Sequence, residues 1–437
     1  MEYRECIEYL YTKLPMFSRT GAAALKLDLS NTIAICKVLG NPENHFPSIH
    51  IAGTNGKGSV SHMLASVFQE AGYKTGLYTS PHVHDFRERI RINGQMIPEN
   101  DVIHFTEKIK PFIETVEPSF FEVTVGMAFE HFAKEGVDIA VIETGLGGRL
   151  DSTNVITPLL SVITNIGMDH VQLLGDTLEK IAFEKAGIIK RDTPVVIGRT
   201  QEETSGVFLD KAKQLNAPIF FSDQQFIGTY IEFSDGISSF NILNFDDGHS
   251  EIFESDLTAS YQSENIATVI AAIQKINQLE GCSFNIAQQQ LKKGIKNVKK
   301  NTGLIGRWDQ IQKHPHVFLD VGHNEDGIKK ILEQIELFPH NRLHIILGMS
   351  MDKNVSATLS CLPKHATYYF TQAHLPRAMP CKELEEIAGL VGLMGKTFDD
   401  VNDALAEALL IANTDDLIIV CGSIFVVAEV NIESLRQ

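Results

Sequence analysis

The amino-acid sequence predicts an α/β protein with a mostly parallel sheet, an antiparallel addition and a second, smaller α/β domain. Three observations support this prediction. Short apolar runs alternate with segments of helical periodicity over most of the 437 residues, which is typical of parallel sheets. Residues 226–253 instead show short β-type alternation with Ser, Asp and Gly turns. The alternation of strands and helices then resumes beyond residue 306.

The first domain is expected to contain six strands of the main sheet and the helices that connect them. We predict strands at 48–52, 75–79, 137–143, 159–165, 194–198 and 218–221. We predict helices at 60–71, 122–135, 177–190 and 203–215. After the antiparallel addition, helices near 262–279 and 284–297 complete this domain.

A lysine-rich, glycine-punctuated stretch at 292–306 is interpreted as the domain linker. Its five lysines could form a nucleic-acid patch, but no aromatic residues interleave the charges, which favours a solvated linker. We therefore place the two domains at 1–298 and 299–437. The second is predicted to be doubly wound and Rossmann-like, with strands near 316–320, 342–347, 367–371, 395–398 and 416–421.

The composition limits the partners and the location of the protein. The chain has 38 basic and 55 acidic residues, a formal net charge of −17, which argues against broad binding to nucleic acid or to an anionic membrane. The N-terminus lacks a signal-peptide pattern, and the longest apolar stretch, 417–430, is too short to span a bilayer. The six cysteines are scattered without a C-x-x-C pair, so we expect reduced thiols and a cytoplasmic location.

The most informative motif is a glycine-rich loop directly after the predicted strand 48–52. Its glycines can turn backbone N–H groups toward phosphate oxygens, Lys57 adds a positive charge, and Ser59 can help to bind the magnesium of a triphosphate. The spacing departs from the ordinary P-loop, which would have Gly at Ile51 and Ser or Thr at Gly58. A glycine-rich loop without a phosphate ligand is the alternative. The predicted P-loop-type site comprises Gly53, Thr54, Asn55, Gly56, Lys57, Gly58 and Ser59.

Other polar residues stand where predicted strands end, which is where open parallel sheets bind ligands. Ser80, Glu143 and His170 do so in the first domain, and Asp320 does so in the second. A carboxylate beside a phosphate loop predicts that Glu143 is a magnesium ligand, with a capped strand end as the alternative. His170 alone would be an ordinary surface histidine. Together with Glu143 and Ser80 at one sheet edge, it predicts a second metal site.

Two groups of basic residues have an ordinary interpretation beside a functional one. Lys185 lies in a predicted helix and by itself would be a solvated lysine. Arg87, Arg89 and Arg91, with Glu88, form a mixed-charge run that is by default a solvated face. The same run could furnish the local positive potential that anionic substrates require.

Together these segments resemble the folylpolyglutamate synthase/dihydrofolate synthase family, within the Mur-ligase type of ATP-dependent amide ligases. The resemblance runs through nearly the whole chain. It rests on blocks at 53–59, 80–82, 88–90, 143–154, 169–170, 184–188, 306–307, 320–324, 352–353 and 421–423. Two blocks depart from the family: 304–307 is LIGR where the family has Trp-Pro-Gly-Arg, and Glu325 replaces the proline of the Asp-Gly/Ala-His-Asn-Pro block.

The resemblance implies a role for each matching residue. Lys57 and the loop amides would hold the phosphates of ATP, while Ser80 and Glu143 would bind one magnesium ion and His170 a second. Lys185 matches the lysine that this family carbamylates. The remaining matches are nucleotide contacts (Asn265, Arg307 and Asp320), the glutamate site (His323 and Ser423) and the pterin pocket (Phe121 and Asp151). Among all of these, the predicted catalytic residues are Lys57, Lys185, Arg307 and His323.

The implied reaction uses ATP to activate a carboxylate of dihydropteroate or a reduced folate as an acyl phosphate, from which the amine of L-glutamate displaces phosphate. We expect a monomer without nucleic-acid or membrane partners. A cell-wall Mur ligase is the nearest alternative, but only 52 residues precede Gly53, too few for the UDP-binding domain that those enzymes carry there. A P-loop small-molecule kinase and a non-catalytic, ATP-switched interaction protein are the alternatives from other classes.

Overall fold

The structure is a computed structural model that describes residues 1–16, 21, 28–351 and 355–432. The Asp352-Lys353 block of the resemblance lies outside the described residues. Within them, the chain forms three sheets and the helices that cover them. The predicted α/β class, the antiparallel addition and the separate C-terminal sheet are confirmed.

The first sheet has eight strands in the described part of the chain: β1 (Ser48–Ala52), β2 (Thr75–Tyr78), β3 (Ile90–Ile92), β4 (Gln95–Met96), β5 (Ile139–Glu143), β6 (Leu160–Ile163), β7 (Val195–Ile197) and β8 (Ile219–Phe221). Their order is β4-β3-β2-β5-β1-β6-β7-β8. All are parallel except β3 and β4, which form an antiparallel hairpin at one edge. The carboxyl ends of β2, β5, β1 and β6 therefore lie side by side.

Helices cover both faces of this sheet, which explains why every residue of β1 is buried. Ile49 and Ile51 pack with Val60 of the helix that follows the glycine-rich loop, and Ile142 packs with Phe129 on the opposite face. The helices of this part are α1 (Tyr3–Lys13), α2 (Ser30–Leu39), α3 (Lys57–Glu70), α4 (Glu99–Val116), α5 (Phe120–Glu135), α6 (Val171–Leu174), α7 (Leu178–Lys185), α8 (Glu202–Gln214) and α9 (Ser222–Gln225).

The antiparallel addition supports a helix that reaches the glycine-rich loop. Its strands are β9 (Phe226–Ser234), β10 (Ile237–Asn244) and β11 (Ser250–Ser255). Phe240 and Phe253 on its inner face belong to the same core as Ile266 and Val269 of α10 (Gln262–Asn277). The first turn of α10 thereby carries polar side chains toward α3.

The stretch at 292–306 is not the solvated linker that the sequence predicted. It contains the end of α11 (Gln288–Lys296) and all of α12 (Val298–Thr302), which pack against α3. A Cβ on Gly294 would lie 2.5 Å from the Cα of Val67, and Ser66 Oγ donates to the Gly294 carbonyl at 2.6 Å. Four of the lysines pair with carboxylates, so the charges neutralise local acidic groups: Lys292–Glu251, Lys293–Glu70, Lys296–Glu254 and Lys299–Asp309.

The third sheet has six strands within the described residues: β12 (Arg307–Lys313), β13 (His316–Asp320), β14 (Leu343–Leu347), β15 (Thr367–Phe370), β16 (Gly395–Thr397) and β17 (Leu417–Cys421). The order is β12-β13-β17-β14-β15-β16, and only β12 is antiparallel to its neighbour among these strands. Its helices are α13 (Glu325–Leu337), α14 (Val355–Ser360), α15 (Cys381–Leu390), α16 (Val401–Ile411) and α17 (Ile424–Ala428).

Several elements were not among the predicted ones: α1, α2, α4 and β12. The edge strand β12 matters most for the site, because it begins at Arg307 and pairs antiparallel with β13, opposite Asp320. Across the described ranges, the structure contains no helix that combines the length and the apolarity needed to cross a membrane.

Candidate active site

The glycine-rich loop lies between the carboxyl end of β1 and the start of α3. Gly53 has a φ of +148° and Gly56 a φ of +84°. A Cβ on Gly53 would lie 1.9 Å from Thr164 Oγ1, and one on Gly56 would lie 2.5 Å from Asn265 Oδ1. These two positions require glycine, because a side chain would collide with fixed neighbours and L-residues rarely adopt a positive φ.

The segment after β6 fixes the shape of this loop. The Asn55 N–H donates to Asn165 Oδ1 at 3.0 Å, and Thr164 Oγ1 donates to the Asn55 carbonyl at 2.6 Å. Thr54 Oγ1 accepts a hydrogen bond from the Gly167 N–H at 2.9 Å. These hydrogen bonds give the loop a defined conformation.

Lys57 and the start of α3 bring positive charge to the loop. Lys57 is the first residue of this 14-residue helix, and its Nζ donates to the carbonyls of Gly53 and Thr54, both at 3.2 Å. A helix N-terminus with free N–H groups beside a lysine is an arrangement that binds phosphate.

Glu143 and Arg307 flank the next residue of the loop, Gly58. Glu143 is buried at the end of β5, and its Oε2 accepts a hydrogen bond from the Ser80 N–H at 3.3 Å. Burial raises the pKa of Glu143 to about 6, against the opposing charges of Lys57 and Arg307. A Cβ on Gly58 would lie 3.2 Å from Arg307 Nη2 and 3.9 Å from Glu143 Oε2. An arginine at the start of β12 thus reaches the loop at the end of β1.

A buried chain of polar side chains links Ser59 to α10. Gln262 Nε2 donates to Ser59 Oγ at 3.4 Å, and Asn265 Nδ2 donates to Gln262 Oε1 at 2.8 Å. Gln262 was not predicted as a site residue. It lies one helical turn before Asn265, and that spacing was the only signal in the sequence that could have indicated it.

Asp169 contacts two histidines, one in the segment after β6 and the other in the segment after β13. Its Oδ2 lies 3.3 Å from His323 Nε2 and 3.9 Å from His170 Nε2. Asn324 Nδ2 donates to the same oxygen at 3.3 Å. The segment after β13 is thereby attached to the segment after β6, close to the glycine-rich loop.

Lys185 is buried at the end of α7 rather than solvated. Its Nζ donates to the carbonyl of Gly53 at 2.7 Å, the same carbonyl that accepts a hydrogen bond from Lys57. The tertiary fold therefore directs Lys185 toward the glycine-rich loop, although the sequence around it has no distinctive local pattern.

A cavity of 370 Å³ opens beside these residues and is lined by both parts of the chain. The ring of Phe121 lies over Gly145, so close that a Cβ on this glycine would be 2.5 Å from the ring. Asp151 accepts hydrogen bonds from the N–H groups of Leu146 at 2.7 Å and Thr153 at 3.0 Å. The cavity wall includes these predicted site residues: Ser80, Phe121, Asp151, His170, His323 and Ser423.

Asp320 lies beneath the cleft, with its carboxylate already occupied by protein donors. The Tyr261 hydroxyl donates to it at 2.6 Å, the Trp308 N–H at 3.0 Å and the Gly322 N–H at 2.8 Å. Burial raises the pKa of Asp320. The Trp308 contact fixes the backbone directly after Arg307. The sequence did not indicate Tyr261 as a partner of Asp320.

The donor atoms around the loop are compatible with magnesium. In the described part of the chain, no three His, Cys, Asp or Glu side chains are close enough to bind a metal by themselves. Magnesium that accompanies a nucleotide needs only one or two carboxylates, with phosphates and water completing the shell. Glu143, a buried carboxylate beside a phosphate-binding loop, fits that requirement.

Known proteins are similar to this chain in both sequence and fold. Residues 51–273 match the family model of the Mur ligase middle domain, and residues 306–424 match that of the Mur ligase, glutamate ligase domain. The chain is 31% identical to dihydrofolate synthase/folylpolyglutamate synthase of Bacillus subtilis, with 98% of each chain covered. It is 29% identical to folylpolyglutamate synthase of Lacticaseibacillus casei, again with 98% of each covered.

The structural comparison agrees with these matches. Escherichia coli FolC in complex with DHPP and ADP superimposes with a TM-score of 0.85 at 28% identity, covering 100% of this chain and 99% of that chain.

Proposed function

Because this chain belongs to the folylpolyglutamate synthase/dihydrofolate synthase family of Mur ligases, we propose that it joins L-glutamate to a carboxylate of dihydropteroate or of a reduced folate. It is an ATP-dependent acid–amino acid ligase with small-molecule substrates. We further propose which residues of this chain perform each step of the reaction.

The proposal rests on the positions of three charged side chains that lie close together at Gly58: Lys57, Arg307 and Glu143. The triphosphate of ATP and a substrate carboxylate must approach each other in a chain with a net charge of −17. Lys57 and Arg307 supply the local cations that reduce this repulsion and stabilise charge on the transferring phosphoryl group. Because Arg307 lies beyond the predicted domain boundary, the cations are complete only when both parts of the chain contact the loop.

The proposed reaction has two steps. An oxygen of the pteroyl carboxylate attacks the γ-phosphorus of ATP, forming an acyl phosphate and releasing ADP. The amine of L-glutamate, held in the cleft near His323 and Ser423, then attacks the acyl carbon. Phosphate leaves and the amine loses a proton, which forms the amide. The cavity between the two parts of the chain would limit the access of water to the acyl phosphate.

Magnesium and a modified lysine are further parts of the proposal. Glu143, Ser59 and Ser80 would hold one magnesium ion and His170 a second, and bound magnesium would neutralise charge on phosphoryl oxygens. Carbamylation of Lys185 would form a bond between its neutral Nζ and the carbon of CO₂, with loss of a proton. That change would remove one of the two cations at the Gly53 carbonyl and add an anionic oxygen donor.

A monomer in the cytoplasm fits this function. All six cysteines are unpaired, as a reducing compartment would leave them. Size-exclusion chromatography with light scattering would test the monomeric state.

The function is tested by phosphate release measured separately with dihydropteroate and with tetrahydrofolate. We expect release that requires ATP, L-glutamate and at least one of the two pteroyl substrates. Lys57→Ala should abolish it, while Lys74→Ala, at a surface ion pair with Glu135, should not. A kinase would transfer phosphate without any amine, and a non-catalytic switch would bind ATP without consuming it. Absence of release with both substrates would refute the proposal.

A further inference from the structure

The three arginines at 87–91 occupy three different environments. Arg87 pairs with Asp85 at 2.7 Å and with Glu99 at 3.2 Å, outside the cavity. Arg91 donates from Nη1 to the Gly94 carbonyl at 3.1 Å, within the β3–β4 hairpin. Arg89 alone among the three lines the 370 Å³ cavity. The mixed-charge run is therefore not a uniform solvated face.

Arg89 is a buried cation whose protein contacts carry no negative charge. Only 7% of the residue is exposed. Its Nε donates to His82 Nδ1 at 2.8 Å, and its guanidinium carbon lies 5.3 Å from the centre of the Phe120 ring. Among the described residues, no carboxylate oxygen lies within 4.0 Å of its nitrogens.

A guanidinium in this position is unfavourable without a ligand. Removing a charge from water costs free energy that an aromatic ring and a neutral acceptor compensate only in part. The wall of a substrate cavity is the place where an incoming group can supply the missing partner. The planar, bidentate geometry of arginine suits a carboxylate or carbonyl oxygen, and the neighbouring Phe120 and Phe121 rings suit a flat aromatic group.

We propose that Arg89 is a substrate-binding residue that donates hydrogen bonds to an acceptor oxygen of the pteroyl substrate. This inference rests on the proposed function. The Phe120 and Phe121 rings beside Arg89 suit the flat ring system of the substrate, so we assign the oxygen to a part of the substrate other than the carboxylate being activated. Two oxygens have that chemistry: the ring carbonyl of the pterin, common to all pteroyl substrates, and the unreactive carboxylate of the glutamate that a folate already carries.

The test is the variant Arg89→Gln, with KM and kcat measured for dihydropteroate and for tetrahydrofolate. We expect KM to rise by roughly 10- to 100-fold while kcat changes by less than about threefold. The reason is that a charged hydrogen bond made equally in the ground state and the transition state contributes to binding and not to the chemical step. A rise for both substrates identifies the ring carbonyl. A rise for tetrahydrofolate alone identifies the glutamate carboxylate, which dihydropteroate lacks. For a substrate that the enzyme does not turn over, Kd from calorimetry replaces KM.

The matched control is Arg87→Gln, which removes an arginine two positions away that pairs with Asp85. It should leave both KM values unchanged. A wild-type KM for both substrates in Arg89→Gln would overturn the proposal. Wild-type enzyme that releases no phosphate would refute the proposed function itself, so the two failures are distinguishable.

Thermal unfolding separates binding from a structural role. Because Arg89 lacks an anionic partner, the free Arg89→Gln protein should melt no lower than the wild type, and its ADP affinity should be retained. A melting temperature lowered by several degrees, together with unchanged KM values, would show a structural residue and overturn the proposal. If Arg89→Gln does not fold, Arg89→Lys keeps the charge but loses the bidentate geometry. A wild-type KM for both substrates in that variant would also overturn the proposal.

Discussion

Asn55 and Asn324 exchange side-chain hydrogen bonds although they are 269 residues apart: Asn55 Nδ2 donates to Asn324 Oδ1 at 3.3 Å, and Asn324 Nδ2 donates to Asn55 Oδ1 at 3.1 Å. Asn324 Oδ1 also accepts from the Gly327 N–H at 2.8 Å and so caps α13. The pair therefore connects the glycine-rich loop directly to the first turn of a helix on the C-terminal sheet.

Breaking this pair should lower turnover more than nucleotide affinity. Asn55→Ala and Asn324→Ala should each reduce kcat by roughly 10- to 100-fold, because the pair aligns groups from two parts of the chain. The double variant should lose little more than either single one, since both remove the same interaction. Steady-state kinetics with Asn341→Ala, at an exposed asparagine, as the control would check this. Fully additive losses would contradict a shared role.

Removing the Arg307 guanidinium should affect the chemical step. Arg307→Ala should lower kcat by about 10²- to 10³-fold, the usual effect of deleting one group that stabilises transition-state charge. The exposed Arg342, directly before β14, provides the control variant Arg342→Ala. Phosphate release under saturating ATP, with ADP binding measured in parallel, would detect the difference. A loss smaller than tenfold would place Arg307 outside the reaction centre.

Lys185 should act as an anion in the working enzyme. Lys185→Ala should lose most activity, and millimolar formate or acetate should restore part of it by supplying the missing carboxylate. Lys180→Ala, on the same helix and paired with Asp176 at the surface, should stay active. Rescue by small primary amines instead of carboxylates would show that the residue acts as a cation, and carbamylation would then be excluded as its functional state.

Two buried histidines should make the protein sensitive to acid. Burial lowers the pKa of His50 and of His62 to about 3, and their rings bond to Thr153 and Thr302, each at 2.8 Å. Both stay neutral in the folded state while the unfolded chain binds a proton below pH 6.5, so the stability they contribute is complete above that pH and falls on acidification toward pH 3. Each of the two histidines should lower the free energy of unfolding by about 1.4 kcal/mol at pH 5.5 relative to neutral pH.

Urea unfolding at pH 7.5 and pH 5.5 would measure this loss. His62→Gln should show a difference between the two pH values that is smaller by about 1.4 kcal/mol than in the wild type, whatever its absolute stability. The exposed His365 provides the control His365→Gln. An unchanged pH difference in His62→Gln would contradict the predicted protonation states.

Local patterns in the sequence predicted the main architecture and part of the candidate site, and the family resemblance supplied the other candidate residues. The glycine-rich loop, Glu143 and His170 were recognisable since each stands beside a predicted strand end. The burial of Lys185 was not recognisable from the sequence, because it depends on the contact between α7 and the Gly53 carbonyl.

The wrong linker prediction and the site contacts that were not predicted also have their origin in tertiary packing. Residues 292–306 looked like a linker because lysines dominate the stretch, whereas Leu291, Ile295 and Val298 form a buried apolar face against α3. The Asn55–Asn324 pair and the Gln262–Ser59 contact join residues more than 200 positions apart. Local periodicity contains no information on such contacts, which only the packing of the two parts of the chain creates.

The most direct test of the proposed reaction follows oxygen from the substrate carboxylate. Dihydropteroate or tetrahydrofolate labelled with ¹⁸O in its reacting carboxylate would be turned over once with ATP and L-glutamate, and the phosphate released would be examined by mass spectrometry. Formation of an acyl phosphate predicts one ¹⁸O atom in each phosphate, because the bond between the acyl carbon and the bridging oxygen breaks when glutamate attacks. Unlabelled phosphate, with glutamate joined all the same, would contradict the mechanism.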